Sequence, residues 1–256
     1  ENIHAVVIAS PAVTHTNMAI EALKNNKDVF IEKPFCLSLP DAQKLSELAI
    51  NKNRILMVGH LLNYHNAFIK MRDLIKNGKI GVLQNIRANR LALGAIRSEE
   101  SVLYDLSAHD ISMILSIVKE LPIDVNVQSI YHHDNVRPDA VSIKLSFSKG
   151  LTALINSDWM CPYKEHKFSV IGTKGSLVFD DTKTWSEKLL YNPSTITSKN
   201  VIMNAPTEII EIQENEPLKT ELKEFLDCVK SRKRPLTDHE EAVKVQTVID
   251  MIDKKI

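Results

Sequence analysis

The sequence predicts two consecutive folding units: a parallel sheet alternating with helices, then a larger, mostly antiparallel sheet covered on one face. Two patterns lead to this prediction. In the first quarter, apolar runs such as residues 3–9 (IHAVVIA) alternate with helical stretches of 10–15 residues, which is typical of buried parallel strands joined by crossover helices. Between residues 123 and 178, short runs with alternating apolar residues follow one another, which indicates antiparallel strands.

The elements of the first unit follow from these patterns and from the residues that interrupt them. Apolar runs predict strands at residues 3–9, 28–31 and 54–58. Helical spacing predicts helices at residues 14–25 and 41–52, the second beginning at Asp41 as its N-cap.

The second unit is expected to begin with helix, strand and helix before its β-rich part. These elements are predicted at residues 65–76, 82–93 and 102–118, and two further helices at residues 218–230 and 240–253. We therefore divide the chain into a first domain (1–60), a second domain (61–235) and a C-terminal helical segment that packs back on the first domain (236–256).

Composition excludes several classes of protein. With 44% hydrophobic and 25% charged residues among 256, the chain is neither disordered nor fibrous. Thirty-two basic and thirty-two acidic residues leave no net charge, so no global field favours nucleic acid or a membrane surface. No apolar run approaches the ~20 residues of a membrane span.

Cysteine and glycine usage narrows the chemistry. The three cysteines (Cys36, Cys161 and Cys228) are far apart in the sequence, which fits a reducing cytoplasm and excludes a disulfide scaffold or a cysteine-based zinc site. Only seven glycines occur and no Gly-x-Gly is present. The sequence thus holds neither a Walker loop nor a complete glycine-rich dinucleotide-binding turn.

Lys33 is the first candidate for chemistry, because Glu32-Lys33-Pro34 follows a predicted parallel strand. Ligands of open α/β sheets bind beyond the carboxyl ends of the strands. Pro34 favours an extended Lys33, whose ammonium could bond a substrate hydroxyl or exchange a proton. The alternative is a strand-end turn with a solvated ion pair.

Asp105 and His109 are the second candidates, since a spacing of four places them on one helix face. Each could accept a proton near neutral pH if its pKa is tuned. The alternatives are a helix-surface pair, a core histidine bonded to backbone, and a metal site, although no H-E-x-x-H motif is present.

Three further residues lie at predicted strand ends. His15 follows the first strand after Ser10-Pro11 and could touch a ligand or simply open a helix. Arg90 and Arg97 flank Gly94 and could clamp an anion, because arginine forks match phosphate geometry; two solvated arginines are the alternative.

Taken in order, the segments VVIASPAVTH, VFIEKP, VGHLLNYH, Asp105-x-x-x-His109 with Asp110, and SDWMCPYKEHKFSVIGTKGSLVFDD resemble the Gfo/Idh/MocA family of NAD(P)-dependent sugar oxidoreductases over nearly the whole chain. NRLALGAIRSEE followed by VLYDLSAHDISMIL resembles the branch acting on UDP-linked N-acetylated sugars, notably 3-dehydrogenases of UDP-N-acetylglucosamine or its uronic acid. One departure is Ser107, where many members carry glycine.

The resemblance implies a role for each matching position. Lys33 would bond the reacting hydroxyl, His109 would accept its proton, and Asp105 would orient the substrate or tune the other two. Arg90 and Arg97 would bind nucleotide phosphates or a sugar acid group. The cofactor would be NAD, with NADP left open, and its site would be bordered by residues at the ends of the first two strands: Ser10, Pro11, His15, Glu32, Lys33 and Pro34. The Lys33–Pro34 peptide is one that is often cis in this family.

The resemblance also implies a partial, N-terminally truncated Rossmann-type sheet, because the family opens with a Gly-rich strand–turn–helix that has no counterpart before Ile3. A shortened version of a longer enzyme, a truncated gene, and a second chain covering the open strand edge are the possible reasons. The resemblance further implies a homodimer or homotetramer through the second sheet.

Two classes of function follow. The first is a cytoplasmic oxidoreductase that moves a hydride between a nicotinamide cofactor and a sugar or sugar nucleotide, without a metal. The second is a binding or assembly module of the same fold that is catalytically silent. A minor third reading keeps the fold but uses the nicotinamide only transiently, as in glycoside hydrolysis.

Overall fold

The structure, a computed structural model, describes residues 2–94, 96–97, 99–133, 136–196 and 201–256. Within these residues it forms a three-stranded parallel sheet, an eight-stranded mixed sheet and a two-stranded hairpin, with six α-helices. The predicted fold class, a parallel sheet followed by a large and mostly antiparallel one, is confirmed.

The first sheet has the order β1-β2-β3, all parallel. Its strands and crossover helices are β1 (Ala5–Ile8), α1 (Ala12–Lys24), β2 (Asp28–Glu32), α2 (Leu39–Lys52) and β3 (Leu56–Gly59). Helix α2 begins before the predicted Asp41, because Ser38 is its N-cap and accepts the backbone N–H of Asp41. Pro40 lies in the first turn, where its missing N–H has no helical partner to lose.

The second unit opens with α3 (Asn66–Lys76), β4 (Leu83–Leu91), a π-helical turn (Leu103–Ser107) and α4 (Ala108–Val118). The large sheet has the order β13-β10-β9-β8-β4-β7-β6-β5. Its β4–β7 pair is parallel and its other pairs are antiparallel.

The remaining elements complete this sheet and close the chain. They are β5 (Asp124–Ile130), β6 (Ala140–Ser146), β7 (Thr152–Asp158), β8 (Glu165–Gly172), β9 (Gly175–Asp180), β10 (Leu189–Asn192), the hairpin β11 (Thr195–Ile196) and β12 (Ile202–Met203), β13 (Glu208–Ile209), α5 (Pro217–Ser231) and α6 (His239–Asp253). No helix of the described part of the chain combines the length and the apolar character needed to cross a membrane.

Helix α6 contributes to the cores of both units. Ala242 packs in the apolar cluster of the small sheet, and Val245 and Ile249 pack in that of the large sheet. Just before the helix, the Thr237 hydroxyl donates to the Val58 carbonyl at the end of β3. The domain limits at residues 60 and 235 stay a prediction.

A row of hydrogen-bonded polar side chains crosses the outer face of the large sheet. Asn156 donates to Asn89 and Asn89 donates to Glu165, each over 2.9 Å, while Ser142 donates to Asn156. An apolar outer face would have favoured contact between subunits. The expected homo-oligomer therefore stays a prediction, without support from this surface.

Glu221 on α5 is a buried carboxyl group without a charge partner among the described residues. It is fully buried, and neither carboxylate oxygen has a hydrogen-bond partner in the structure. Burial, reinforced by the nearby carboxylates of Glu32 and Glu224, raises the pKa of Glu221 to about 9. The folded state therefore holds a proton on Glu221 that the unfolded chain loses above its ordinary value near 4.5.

Replacing Glu221 by Gln is expected to flatten the pH dependence of stability. Between about pH 5 and 8 only the unfolded chain releases this proton, so wild-type stability falls as pH rises, by at most ~1.4 kcal/mol per unit. In thermal melts, the melting temperature of E221Q relative to that of the wild type should be higher at pH 8 than at pH 5. Glu47→Gln, on the exposed face of α2, is the control; an E221Q curve parallel to the wild-type curve contradicts the assignment.

Candidate active site

The ammonium of Lys33 and the carboxylate of Asp105 meet across a cleft between the two units. Lys33 follows β2, and Asp105 lies in the π-helical turn before α4. Lys33 Nζ donates to Asp105 Oδ1 and to the backbone carbonyl oxygen of Asp105, each over 2.7 Å. Seventy-two residues of sequence separate the partners, so folding alone brings them together.

The second oxygen of Asp105 is also bound. The buried indole of Trp159 donates from Nε1 to Asp105 Oδ2 over 3.0 Å, and Arg97 Nε lies 3.7 Å from Oδ1. Burial by itself raises the pKa of Asp105, but Lys33, Trp159 and Arg97 outweigh it, so that the pKa is lowered. Asp105 is therefore an ionised anchor for Lys33 rather than a free base.

The π-helical turn explains how one residue offers Lys33 both oxygens. The Ala108 N–H bonds the Leu103 carbonyl, five residues earlier, which widens this turn relative to an α-helix. Asp105 lies inside the widened turn, with its carbonyl and side chain both reaching Lys33. A π-turn of this kind is frequent at functional sites, and the sequence pattern predicts one continuous helix here.

His109 lies one turn beyond Asp105, on α4. Its Nδ1 is buried without a hydrogen-bond partner in the structure, whereas the residue as a whole is only half-buried. Burial, with the positive charges of Arg90 and Lys33, holds the pKa of His109 well below 6.5. The ring is thus neutral at physiological pH and able to accept a proton.

The structure engages Arg90 in a buried pair and leaves Arg97 exposed. Arg90 Nε and Nη2 donate to the two oxygens of Asp110 over 3.1 and 3.0 Å. The guanidinium of Arg90 is therefore already bonded to a protein carboxylate. The side chain of Arg97 is 54% exposed and lines the cleft. A joint anion clamp of the two arginines stays a prediction that the Arg90–Asp110 pair disfavours.

The cofactor side of the cleft is built from two strand ends that a histidine joins. Ser10, Pro11, Lys33 and Pro34 line a cavity of about 410 Å³ beyond β1 and β2. His15 is buried, with Nδ1 2.8 Å from the Pro34 carbonyl and Nε2 2.8 Å from the Ser10 carbonyl. Its imidazole therefore fixes the walls of the cavity. The Lys33–Pro34 peptide is cis, in agreement with the resemblance.

Glu32, the sixth residue predicted on this side, ends β2 against β3. Its side chain occupies the space beside Gly59, where a Cβ would lie 2.8 Å from Glu32 Oε2. Gly59 therefore has to be glycine for Glu32 to hold this place. Within the described residues Glu32 does not line the cavity that contains Lys33, so its contact with a cofactor stays a prediction.

Sequence reasoning missed Trp159, Asp110 as the partner of Arg90, Glu100 and His166. Glu100 lines the same cavity as Lys33, and His166 on β8 stands opposite Arg90 in the sheet register. A hint existed for Asp110 alone, since it follows His109 in the sequence. Among the residues that the structure describes, no group of three or more His, Cys, Asp or Glu is arranged to hold a metal ion.

Two family models match the chain. Residues 1–60 match a model described as "Oxidoreductase family, NAD-binding Rossmann fold", and residues 68–178 match one described as "GFO/IDH/MocA C-terminal domain". The predicted nicotinamide cofactor class is thereby confirmed.

Curated relatives include the scyllo-inositol 2-dehydrogenase (NAD(+)) of Bacillus subtilis, 25% identical over 96% of this chain and 74% of that protein. The 2,7-anhydro-N-acetylneuraminate hydratase of Escherichia coli is 26% identical over 71% of this chain and 53% of its own length. The UDP-N-acetylglucosamine 3-dehydrogenase of Acidithiobacillus ferrooxidans is 30% identical, over 50% of this chain and 40% of that protein. The chain spans only 53% and 58% of the hydratase and of the myo-inositol 2-dehydrogenase of Thermotoga maritima.

Solved structures share the fold. The UDP-N-acetylglucosamine 3-dehydrogenase of Acidithiobacillus ferrooxidans superposes with a TM-score of 0.84 at 20% identity, over 98% of this chain and 78% of that one. The aldose-aldose oxidoreductase of Caulobacter crescentus gives 0.84 at 17% identity, over 98% and 76%. At these identities the likeness concerns the fold alone.

The residues of the cavity fit the nicotinamide end of such a cofactor. The cavity lies beyond the carboxyl ends of parallel strands, where open α/β sheets bind nucleotides. It presents the Lys33 ammonium and a buried, unpartnered oxygen of Glu100, both able to bond a polar ligand. The pyrophosphate would need a glycine-rich turn, and the sequence contains no Gly-x-Gly.

The neutral state of His109 is directly measurable. In histidine ring-labelled protein, the NMR titration midpoint of His109 is expected well below 6.5, because burial and two neighbouring cations disfavour the imidazolium. Lys33→Met should move the midpoint upward but leave it below 6.5, since burial is the larger cause. A midpoint at or above 6.5 in the wild type contradicts the site geometry.

Proposed function

This chain belongs to the Gfo/Idh/MocA oxidoreductase family. We propose that it is the part of an NAD(P)-dependent sugar dehydrogenase that binds the substrate and the nicotinamide end of the cofactor. The observation that carries the proposal is the Lys33–Asp105 pair, which places an anchored ammonium inside a cavity at the strand ends. His109, a neutral and half-buried histidine, lies one helical turn from Asp105. An alcohol that loses a hydride needs such an arrangement, because its hydroxyl proton must leave as well.

In this proposal each residue acts at a stated atom. Lys33 Nζ, held by Oδ1 and the backbone carbonyl oxygen of Asp105, donates a hydrogen bond to the reacting hydroxyl oxygen and stabilises the charge that develops there. His109 accepts the hydroxyl proton in its neutral form. When bound, the nicotinamide ring supplies the acceptor for the hydride that leaves the sugar carbon. Asp105 orients Lys33, and Trp159 holds Asp105.

We propose a UDP-linked N-acetylated hexose, or its uronic acid, as substrate, oxidised at C3. The support is the 30% identity with a UDP-N-acetylglucosamine 3-dehydrogenase over half of the chain and the segment between residues 89 and 115 that resembles that branch. Inositols are the competing substrates, since inositol dehydrogenases are also relatives. A cytoplasmic homodimer or homotetramer completes the proposal, in keeping with three buried free thiols.

A second candidate is a redox-neutral reaction in which the cofactor is reduced and reoxidised within one turnover. A relative named as a hydratase favours it, because a hydration leaves no net oxidation. Net accumulation of reduced nicotinamide during turnover excludes this candidate. The silent binding module remains the outcome if the chain and any longer form of it both fail to bind nicotinamide cofactor.

Cofactor binding separates the enzyme from the silent module. A fluorescence titration with NADH is expected to show weak binding by the 256-residue chain, because its cavity takes only the nicotinamide end. A longer form carrying a glycine-rich strand–turn–helix ahead of residue 1 should bind NADH tightly. Absence of binding by both forms contradicts the dehydrogenase proposal.

Lys33→Ala and His109→Ala are each expected to lower turnover in a cofactor-binding form by about two or more orders of magnitude, the usual contribution of general acid–base groups. Steady-state rates with UDP-N-acetylglucosamine and myo-inositol provide the measurement. Lys44→Ala and His132→Ala, at exposed positions, serve as matched controls. Unchanged turnover in both site variants removes the assignments.

A further inference from the structure

Glu100 holds an unsatisfied carboxylate oxygen in the cavity that contains Lys33. It lies in the segment between β4 and the π-helical turn and lines the cavity together with Lys33, Pro34 and Arg97. Its Oε2 is fully buried and has no hydrogen-bond partner among the residues that the structure describes. Leaving such an oxygen unpaired is costly, which points to a donor that arrives with a ligand.

The cations of the cavity are already engaged. Lys33 bonds Oδ1 and the backbone carbonyl oxygen of Asp105, and Arg97 approaches Oδ1 of the same residue. The cavity is lined by three carboxylates (Glu99, Glu100 and Asp105) and two cations (Lys33 and Arg97), so it carries no surplus positive charge for a phosphate or a sugar acid. Burial raises the pKa of Glu100 while Lys33 opposes that rise, so the carboxyl depends on its immediate neighbours for charge compensation.

We propose that Glu100 is a specificity residue that accepts a hydrogen bond from a neutral hydroxyl next to the reacting carbon. The inference rests on the proposed function and narrows its substrate class. The reacting end of the substrate is a neutral vicinal diol of a sugar or cyclitol, and an acid group at that position is rejected by Glu100 and Asp105. A nucleotide or a uronic acid group, where present, lies away from Glu100.

A hydroxyl donor fits this place better than the alternatives. A ligand anion would share the cavity with the carboxylates of Glu100 and Asp105, and like charges close together disfavour binding. A metal ion would need further ligands, and the described residues offer no such cluster. A hydroxyl satisfies Glu100 with one bond and leaves Lys33 free to bond the neighbouring oxygen, as a vicinal diol requires.

The test compares Glu100→Ala and Glu100→Gln with Glu47→Gln, a matched change on the exposed face of α2 and outside the lining of the cavity. With NAD and myo-inositol or UDP-N-acetylglucosamine, E100A should raise KM about tenfold or more, as expected for a lost bond to a charged group, with kcat changed much less. E100Q keeps an acceptor oxygen and should recover most of the loss. Against glucuronate, E100Q should bind more tightly than the wild type.

A direct binding measurement keeps this inference separate from the proposed function. Saturation-transfer NMR with myo-inositol and N-acetylglucosamine, with glucuronate as the anionic probe, needs no turnover. If the wild type turns over none of the substrates, the dehydrogenase proposal fails, yet loss of neutral-sugar binding in E100A alone still supports the role of Glu100. Equal binding and equal KM in wild type and E100A overturn it, as does a wild-type preference for glucuronate.

Discussion

The bond between Lys33 and Asp105 is the interaction on which the site depends. It joins a loop at the end of a parallel strand to a turn in the other unit, and it fixes the position of the only ammonium that lines this cavity among the described residues. Removing one partner would leave the other charge partly buried and uncompensated, which is more costly than losing an exposed pair. Trp159 and Arg97 approach the Asp105 carboxylate of this pair, and His109 lies one helical turn beyond Asp105.

The protonation states of Asp105 and His109 follow from the balance between burial and the neighbouring charged groups. For Asp105, three donors overcome the effect of burial and keep the group ionised. For His109, burial and neighbouring cations act in the same direction and keep the ring neutral. Both groups are thus held deprotonated: Asp105 is an anion engaged by Lys33 and Trp159, whereas His109 is a neutral ring whose Nδ1 has no partner among the described residues.

Sequence reasoning predicted the features that local patterns encode. The parallel strands follow from continuous apolar runs, and the placement of Lys33 at a ligand-binding edge follows from its position after a strand. It did not predict the Arg90–Asp110 pair, which depends on how β4 packs against α4. Nor did it predict Trp159, whose indole reaches Asp105 only through the parallel pairing of β7 with β4. The π-helical turn was missed because helical periodicity cannot reveal one added residue, and the Ser38 cap because Asp41 was taken as the N-cap.

Helix α6 has a mechanical consequence for the cleft. Its first turns pack in the core of one unit and its later turns in the core of the other. A rotation of one sheet relative to the other would therefore expose apolar side chains of one of these cores. Hinge bending between the units is therefore an expensive motion in this molecule.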